Sequence, residues 1–423
     1  FIMKELNKIN ILKKNFFNSH KQSKKILKEI VKILINNDVK IINSIVKDTN
    51  KNYDDAKQEF VNSINIFNFV QNHLNFDREF EIKKKNFLGK VIYEPAGLVL
   101  MITPWNYPLI TIAERLPFAI AAGCKVILKP SEYLPNFNKQ LQKIFSKNKI
   151  IRSSILTINL KKISDVKKIV SSKDIDVITF VGSYKTAKQV IKNSLTSIKR
   201  FNLELGGKNP AILIGNDYDK NILDLLCQSI FENLGQCCVG TSRILVNNKI
   251  YDKFKNDFIN YSKNYINENF FSDIIANKKH EIRVKKILKN INKLYRNNKI
   301  NLLRRKNNRL CGIIIENNDS IDLEEEFFFP IVTLNKYRTN KELIRKCNNS
   351  EYGLACHIFS KKKINSNILS KLEFGRIWIN TSIKKWSPFL PVGGKKNSGK
   401  GFDMGKYGYK NYALIKSIYQ DKK

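Results

Sequence analysis

Residues 98–108 read Leu-Val-Leu-Met-Ile-Thr-Pro-Trp-Asn-Tyr-Pro, an apolar run that ends at a turn with two prolines. The consecutive apolar residues predict a buried strand over Leu98–Ile102, and the helical spacing that follows predicts a helix over 110–122. A second strand is predicted over 125–128, followed by a Pro-Ser-Glu turn and a longer helix. Strands that alternate with helices in this way predict an α/β fold with a doubly wound parallel sheet.

The rest of the chain extends this pattern in both directions. Residues 1–75 have apolar side chains at helical spacing, and the period changes over 79–93 to one that predicts a ribbon of strand. Another strand is predicted over Val177–Val181. The polar segment over 255–310 predicts surface helices with loops, and the tail over 412–418 is β-prone.

The composition limits the class of protein. The chain has 423 residues, of which 42% are hydrophobic, so it can bury real cores and is not of the disordered class. The longest apolar run, at 97–102, is far shorter than the roughly 20 residues of a membrane helix. No apolar leader segment is apparent, which predicts a protein without a secretory signal. Seven cysteines without a Cys-x-x-Cys pair favour a reducing, cytoplasmic compartment, and we predict no metal site.

The net charge of +39 comes from 76 Lys and Arg residues against 37 Asp and Glu residues. Such an excess is typical of nucleic-acid-binding proteins. Here the basic residues are scattered among abundant Asn and Ile, a composition that an AT-rich genome produces wherever the fold permits. Clusters such as 83–85, 304–306 and 361–363 lack interleaved aromatic residues. We therefore favour a solvated basic surface over a nucleic-acid groove.

Two turns that follow strands have the chemistry of a nucleotide site. The strand Val177–Val181 leads through Gly182 and Ser183 into a helix, whose unpaired N-terminal amides attract a phosphate. The second turn, over 129–132, reads Lys-Pro-Ser-Glu, and its lysine and glutamate either bind ribose hydroxyls or only form the turn. The sequence has no Gly-x-Gly-x-x-Gly fingerprint, so an ordinary dinucleotide fold is not supported.

Candidates for covalent chemistry stand in two further segments. Residues 201–207 read Phe-Asn-Leu-Glu-Leu-Gly-Gly, so Glu204 projects from the opposite face of a short strand to its leucine neighbours. Residues 235–238 read Gly-Gln-Cys-Cys and follow an apolar helical stretch over 223–234. Adjacent cysteines are either small buried hydrophobic residues or, with a base in reach, a nucleophile. The four histidines stand in no motif, which disfavours a Cys-His hydrolase and makes a carboxylate the alternative base.

A series of motifs in a fixed order resembles the NAD(P)-dependent aldehyde dehydrogenase superfamily. The resemblance runs from about residue 20 to 420, and each motif alone is modest. The motifs are Glu-Pro-Ala-Gly (94–97), Thr-Pro-Trp-Asn-Tyr-Pro (103–108), Lys-Pro-Ser-Glu (129–132), Phe-Val-Gly-Ser (180–183), Leu-Glu-Leu-Gly-Gly-Lys-Asn-Pro (203–210), Gly-Gln-Cys-Cys (235–238), Glu-Glu-Phe-Phe (325–328), Glu-Tyr-Gly-Leu (351–354) and Pro-Val-Gly-Gly-Lys-Lys-Asn-Ser-Gly (391–399). Their order along the chain makes this family the main prediction of the sequence.

The resemblance implies an oxidoreductase that oxidises an aldehyde to a carboxylic acid with NAD or NADP through a cysteine thioester. Cys238 would be the nucleophile beside a bystander Cys237, and Asn106 with the Cys238 backbone N–H would form the oxyanion hole. Glu204 would be the general base that activates water. The implied cofactor-binding residues are Trp105, Lys129, Ser131, Glu132, Gly182, Ser183, Glu326 and Phe328.

Each part of the cofactor has an implied place. The turn over 129–132 would hold the adenosine ribose, and the turn at 182–183 would lie at the pyrophosphate. Glu326 with Phe328 would position the nicotinamide ribose and ring. A carboxylate at the adenosine ribose repels a 2′-phosphate, so Glu132 favours NAD over NADP.

The implied fold is an aldehyde-dehydrogenase-like α/β fold with two doubly wound domains and a small β oligomerisation element. We expect an NAD-binding domain over 1–76 and 96–206 and a catalytic domain over 207–405. The oligomerisation element would combine 77–95 with 406–423. Because the β-prone tail would otherwise leave an open sheet edge, we expect it to pair across a homodimer or homotetramer interface.

Three departures from the family pattern stand against full activity. Phe329 replaces the glycine before the proline of its motif, which could displace Glu326 and Phe328. The loop over 148–160 is short and has no glycine, and Phe-Asp replaces Arg-Glu at 402–403. With the basic charge, these departures support an alternative: an inactive basic protein on the same fold that binds RNA. The chain retains the whole set of implied catalytic and ribose-binding residues. This argues against an inactive protein that binds RNA.

The substrate class depends on residues around the tunnel mouth, which vary within the family. Glu114 stands where relatives often carry an aromatic residue, and Trp105 and Trp386 are expected nearby. An acid among aromatic rings suits a cationic substrate, such as an aminoaldehyde or betaine aldehyde. Alternatively, Glu114 pairs with Arg115 and does not meet the substrate. A semialdehyde would need a basic pocket group, and Arg243 is too general a family feature to assign to that role.

Overall fold

The computed structural model of the chain describes residues 9, 12, 19–73, 79–268, 275–294, 299–316 and 325–421. Most of 1–18, the expected domain boundary at 76–77 and the last two residues of the tail lie outside the described residues. In the part of the chain that the structure describes, no helix is long and apolar enough to cross a membrane.

The first three helices lie in the N-terminal segment that was predicted to be helical. They cover His20–Ile35 (α1), Asp38–Thr49 (α2), Tyr53–Asn72 (α3), Ile110–Ala113 (α4), Leu116–Ala121 (α5), Pro135–Lys147 (α6), Lys149–Arg152 (α7), Ile163–Val170 (α8), Tyr184–Asn193 (α9), Lys220–Phe231 (α10), Tyr251–Glu268 (α11), Lys278–Leu294 (α12), Asn340–Asn348 (α13), Ser366–Lys371 (α14) and Gly405–Gly408 (α15). The single helix predicted over 110–122 is wrong, because Arg115 has a non-helical φ of −130° and a second helix begins at Leu116, with Pro117 in its first turn.

The strands confirm the predicted apolar runs and add others. They cover Glu79–Lys84 (β1), Phe87–Pro95 (β2), Leu98–Ile102 (β3), Lys125–Lys129 (β4), Ile155–Thr157 (β5), Val177–Val181 (β6), Arg200–Glu204 (β7), Asn209–Leu213 (β8), Thr241–Asn247 (β9), Lys299–Arg304 (β10), Leu310–Glu316 (β11), Ile331–Tyr337 (β12), Tyr352–Gly353 (β13), Ala355–Phe359 (β14), Arg376–Ile379 (β15), Lys395–Lys396 (β16), Gly399–Lys400 (β17) and Ala413–Asp421 (β18). The polar segment over 255–310 contains β10 and the start of β11 as well as the predicted helices.

The first sheet has six strands in the order β17-β7-β6-β3-β4-β5, and its strands are parallel except for the pairing of β17 with β7. Val99 and Met101 of β3 pack into the core formed with α1 to α6. Leu98, Leu100 and Ile102 pack into the core on the opposite face, with α8 and α9. Helices on both faces explain why β3 is apolar at every position and confirm the predicted doubly wound sheet.

The second sheet has seven strands in the order β10-β11-β12-β9-β8-β14-β15. Only β10 and β11 pair antiparallel among its described strands. Ile244 and Val246 of β9 pack into the core with α10, α11 and α12, whereas Leu245 packs with α13 and α14. This sheet is therefore also covered on both faces.

A third, antiparallel sheet combines the early ribbon with the tail, in the order β1-β2-β18. Strand β18 pairs with β2 from Ala413 opposite Pro95 to Asp421 opposite Phe87. The sheets follow the segments of the expected domain division except at β17, which belongs to the expected catalytic segment but pairs with β7 of the first sheet. The division itself stays a prediction.

The first two sheets meet at the ends that carry the candidate site residues. In the first sheet the carboxyl ends of β3, β4, β6 and β7 lead into 103–108, 130–132, 182–183 and 205–208. The second sheet contributes the segment over 235–238, which precedes β9. Carboxyl ends of parallel strands are the usual binding edge of an α/β sheet, so the topology places the motifs around one opening.

Candidate active site

One cleft of about 2070 Å³ lies at the junction of the two large sheets. Every site residue that the sequence predicted lies on its wall. These residues are Trp105, Asn106, Lys129, Ser131, Glu132, Gly182, Ser183, Glu204, Cys238, Glu326 and Phe328. The structure thus brings together side chains that are more than two hundred positions apart in the sequence.

The loop that carries the cysteines is held in an unusual backbone conformation. Helix α10 ends at Phe231, and Asn233, Leu234 and Gly235 then have φ values of 50°, 53° and 65°. A Cβ at Gly235 would lie 2.6 Å from the backbone carbon of Phe329, so only glycine fits there. The Gln236 amide donates to the Asn233 carbonyl at 2.9 Å, and its oxygen accepts from the Ala276 N–H. These contacts fix the approach of the chain to Cys238 and explain the Gly-Gln part of the motif.

Cys237 and Cys238 are both partly buried at the cleft wall. The hydrogen bond that Cys238 shares with Cys237, together with burial, raises the pKa of the Cys238 thiol well above its usual value. The Glu204 carboxylate adds to this increase, and the Arg376 guanidinium opposes it. The resting thiol is therefore neutral and needs a nearby base to become a thiolate.

Asn106 follows β3 and is buried at the bottom of the turn. Its Nδ2 donates to the Gln236 carbonyl at 3.0 Å, and its own carbonyl accepts from the Asn233 amide at 3.2 Å. One of the two N–H bonds of the Asn106 amide is used in this contact. The other N–H bond is the kind of donor that an oxyanion beside Cys238 requires.

Glu204 is the last residue of β7 and is only 5% exposed. Its Oε1 accepts a hydrogen bond from Nη2 of Arg376 at 3.0 Å, across the junction of the two sheets. Burial raises the pKa of Glu204 above its usual value, while the guanidinium groups of Arg376 and Arg115 lower it. Glu204 is therefore a buried carboxylate at the cleft, in the electrostatic range of Cys238.

The turn after β4 forms the polar end of the cleft. Lys129 Nζ donates to Glu132 Oε2 at 2.8 Å, and Ser131 Oγ accepts from the Tyr133 N–H at 3.3 Å. Burial acts to raise the pKa of Glu132, but the ion pair with Lys129 outweighs it and lowers that pKa. Nearby, Ser183 accepts from the Thr186 N–H and caps α9, whose first turn lies at the cleft.

Glu326 and Phe328 form the opposite wall. Oε1 of Glu326 accepts from the Gly207 N–H at 3.2 Å, and burial raises the pKa of Glu326 to about 7. A Cβ at Gly206 would lie 2.1 Å from Glu326 Oε2, so the carboxylate needs glycine to approach the chain this closely. The Phe328 ring packs edge-on against Trp105, with ring centroids 5.7 Å apart.

Two of the three departures from the family pattern, Phe329 and the Phe-Asp pair at 402–403, are accommodated. The Phe329 side chain is buried in the core of the second sheet, and Glu326 and Phe328 still line the cleft. Asp403 forms an ion pair with Arg115 at 2.5 Å and accepts from Asn202 Nδ2 at 2.7 Å. The Phe-Asp pair at 402–403 thus places a carboxylate, held by two partners, close to Glu204.

Sequence reasoning missed several residues at the cleft. Arg376 and its contact with Glu204 were not predicted, although a basic residue in the apolar run Gly-Arg-Ile-Trp-Ile was a usable signal. His280 stands in no sequence motif, yet it lines the cleft with Nε2 2.8 Å from the Phe328 carbonyl oxygen. Burial lowers the pKa of His280 to about 4, so this ring is neutral at physiological pH. Among the residues that the structure describes, no group of three His, Cys, Asp or Glu could hold a metal ion.

The chain matches the aldehyde dehydrogenase family over residues 18–418. It is 28% identical to betaine aldehyde dehydrogenase of Bacillus subtilis (strain 168), over 89% of this chain and 80% of that protein. It is 32% identical to aminoaldehyde dehydrogenase 2 of Zea mays, over 79% of this chain and 68% of that protein. Betaine aldehyde dehydrogenase of Staphylococcus aureus, solved in complex with NAD⁺, superposes with a TM-score of 0.89 at 26% identity, over 98% of this chain and 86% of that one.

The chain belongs to the aldehyde dehydrogenase family. The predicted aldehyde-dehydrogenase-like α/β fold is confirmed, and so is the prediction of an NAD(P)-dependent aldehyde dehydrogenase enzyme.

Proposed function

We propose that this enzyme oxidises an aldehyde to a carboxylic acid with NAD through a thioester on Cys238. The observation that carries the proposal is the convergence of Cys238, Asn106 and Glu204 on one cleft with the predicted cofactor residues. A soft nucleophile, an amide donor and a buried carboxylate are the groups that a two-step acyl transfer requires. The experiment is to follow NADH formation with the purified chain, NAD and a panel of aldehydes.

In the first step, the Cys238 thiol gives up its proton to water in the cleft. The thiolate then forms a bond to the aldehyde carbon, and the carbonyl electron pair moves to oxygen. The Asn106 amide and the Cys238 backbone N–H donate to that oxyanion, a stabilisation that commonly contributes about 10²–10³ in rate. Bound NAD supplies the acceptor for the hydride that leaves the same carbon. The product on the protein is a thioester of Cys238.

In the second step, Glu204 accepts a proton from a water molecule, whose oxygen attacks the thioester carbonyl. The carbon–sulfur bond then breaks, Cys238 leaves as thiolate and the carboxylic acid is released. Because Glu204 must be ionised to accept the proton, kcat is expected to fall as the pH drops through its pKa. Burial places that pKa above the usual value for a glutamate.

The chemistry of the cleft fits NAD at both ends. At one end, the capped first turn of α9 offers N–H donors for phosphate, and the pair of Lys129 with Glu132 offers a donor and an acceptor for ribose hydroxyls. At the other end, Glu326 has a carboxylate oxygen beside Gly206 in reach of the cleft. We therefore assign the adenosine ribose to the first site and the nicotinamide ribose to the second.

NAD is expected to bind more tightly than NADP, since the half-buried Glu132 carboxylate lies where the 2′-phosphate would have to sit. Repulsion between such partly exposed like charges amounts to about 1 kcal/mol, which corresponds to several-fold in affinity. Glu132→Gln should narrow the ratio of the two dissociation constants, measured by titration calorimetry. The control is Glu342→Gln, a surface carboxylate paired with Lys346. Equal affinities for both cofactors in the unchanged enzyme would contradict the assignment.

For the substrate we propose a cationic aldehyde, an aminoaldehyde or betaine aldehyde, over a semialdehyde. Glu114 lines the cleft together with Trp105 and Trp386, and its side chain is 19% exposed. The alternative pairing is also observed, because Arg115 Nη1 lies 3.1 Å from Glu114 Oε2. Arg115 is shared between Glu114 and Asp403, so one guanidinium faces two carboxyl groups beside the cleft. Relatives named for betaine aldehyde and aminoaldehydes support the proposal, whereas a succinate-semialdehyde dehydrogenase of Oryza sativa, also 32% identical, supports the semialdehyde alternative.

The substrate prediction is tested by kcat/KM for 4-aminobutanal, succinic semialdehyde and butanal. We expect the cation to be preferred over the neutral aldehyde by about 3- to 30-fold, the range of one cation–π or ion contact. Glu114→Gln should remove the preference without changing kcat/KM for butanal. A higher value for the semialdehyde, or an unchanged ranking in the variant, would rule out the cationic assignment.

We also propose that the enzyme is a homodimer or homotetramer assembled through the third sheet. Strand β18 lies at an edge of that sheet and exposes apolar side chains, including Ile415 and Tyr419 at 65% and 77%. An open strand edge with exposed apolar residues favours pairing with another chain. Light scattering at micromolar concentration should give at least twice the chain mass, and a monodisperse monomer would contradict this assembly.

A further inference from the structure

Arg376 links the two large sheets at the cleft. It is the first residue of β15, and its backbone N–H donates to the Leu354 carbonyl at 3.1 Å. Its side chain crosses to the end of β7, where Nη2 donates to Glu204 Oε1 at 3.0 Å. The arginine side chain is 19% exposed and the glutamate 6%, so this ion pair is largely shielded from water. Such a pair is stronger and better fixed in geometry than a surface ion pair.

The contact with Arg376 makes the two carboxylate oxygens of Glu204 different. Oε1 of Glu204 is bonded to Arg376, and within the described residues no hydrogen bond to Oε2 is present. Glu204 Oε2 is therefore the oxygen that can accept a proton. The Arg376 guanidinium donates to Glu204 through Nη2. Its Nε is buried and has no hydrogen-bond partner among the described residues. An arginine that leaves a donor unsatisfied is poorly explained as a purely structural tie.

Charged groups surround Glu204 from each element packed against it. Arg376 approaches from β15, and Arg115 with Glu114 approaches from the junction of α4 and α5. Asp403 approaches from the segment after β17, and the Cys238 thiol from the loop before β9. Arg115 is engaged with Asp403 and Glu114, so Arg376 is the cation bonded directly to Glu204.

We propose that Arg376 is a positioning residue: its guanidinium holds the Glu204 carboxylate in place and ionised beside Cys238 for hydrolysis of the thioester. This inference rests on the proposed function, since it concerns the second of the two steps. Without the guanidinium, the buried carboxylate would protonate more readily and would lose its fixed orientation.

The test compares Arg376→Gln and Arg376→Lys with the unchanged enzyme over a range of pH. In Arg376→Gln, the first turnover should still give a burst of NADH, because Cys238 and Asn106 remain. We expect kcat to fall about tenfold at neutral pH, and the acid limb of the kcat profile to move to higher pH by about one unit. In Arg376→Lys, kcat at neutral pH and the position of the acid limb should both return most of the way to those of the unchanged enzyme. Arg338→Gln, the same substitution at an exposed turn, is the matched control.

The outcomes separate this inference from the function on which it rests. No NADH from the unchanged enzyme with any aldehyde would overturn both. An active enzyme in which Arg376→Gln keeps the kcat profile would overturn the positioning role alone. If Arg376→Gln loses the NADH burst and the steady-state turnover to the same extent, and Arg376→Lys restores neither, Arg376 only stabilises the junction of the two sheets and the proposal is overturned. A rise in KM for succinic semialdehyde without a shift of the pH profile would make Arg376 an anion site and would also overturn the proposal.

Discussion

Replacement of Cys238 by alanine is expected to abolish NADH formation with every aldehyde. Without the Cys238 thiol the proposed thioester cannot form at this position, so the loss should reach at least about 10³-fold, as for other enzyme nucleophiles. The measurement is NADH absorbance under saturating NAD, with cofactor affinity checked separately. Affinity should be retained, since the residues assigned to the cofactor are unchanged.

Cys237→Ala is the matched control for this prediction. Its thiol is adjacent in sequence and also lines the cleft, so the two variants remove the same group from neighbouring positions. Activity should stay within several-fold of the unchanged enzyme, and the thiol of Cys238 should ionise at lower pH because the shared hydrogen bond is lost. If Cys237→Ala loses activity and Cys238→Ala retains it, Cys237 is the nucleophile and the assignment to Cys238 is wrong.

Glu204→Gln should separate the two chemical steps. Glutamine has nearly the same shape and its oxygen can still accept from Arg376, but the amide cannot accept a proton from water. We expect a burst of NADH in the first turnover, followed by turnover that is slower by about 10²–10⁴, the usual contribution of a general base. Rapid-mixing absorbance measures both phases. Unchanged steady-state turnover would show that another group activates the water.

A small nucleophile provides a control for this variant. Hydroxylamine attacks a thioester without the help of a base, so it should accelerate the steady-state phase of Glu204→Gln much more than that of the unchanged enzyme. If the variant is slow because its fold is damaged, hydroxylamine will not restore the rate. The two causes are thereby distinguished in one assay.

Local sequence determines much of this fold. The bounds of β3 and β6 agree with the prediction, because β3 is apolar at every position and β6 at every position except Thr179, and both are almost fully buried. The segment over 299–316 was not predicted as strands, since β10 lies at the sheet edge among lysines and asparagines and most of its residues are exposed or half-buried. A proline and a buried arginine divided the predicted helix over 110–122, where the tertiary contacts of Arg115 override helical propensity.

In the candidate site, too, short sequence motifs identify some residues, whereas contacts between distant segments appear only in the structure. Motifs brought Cys238, Glu204 and Asn106 to attention because each occupies a characteristic short pattern. The pairing of Arg376 with Glu204 could not be predicted in that way, because the two residues are 172 positions apart and meet only when the sheets do. For Glu114 the sequence left two interpretations open, and the structure contains the pairing with Arg115 while the side chain remains at the cleft.

The central claim is that the reaction passes through a thioester on Cys238. The most direct measurement is mass spectrometry of acid-quenched Glu204→Gln after mixing with NAD and aldehyde, followed by proteolysis. We expect one acyl group per chain, located on the Cys238 side chain and formed in step with the NADH burst. NADH formation without an adduct, or an adduct on Cys237 instead, would contradict it.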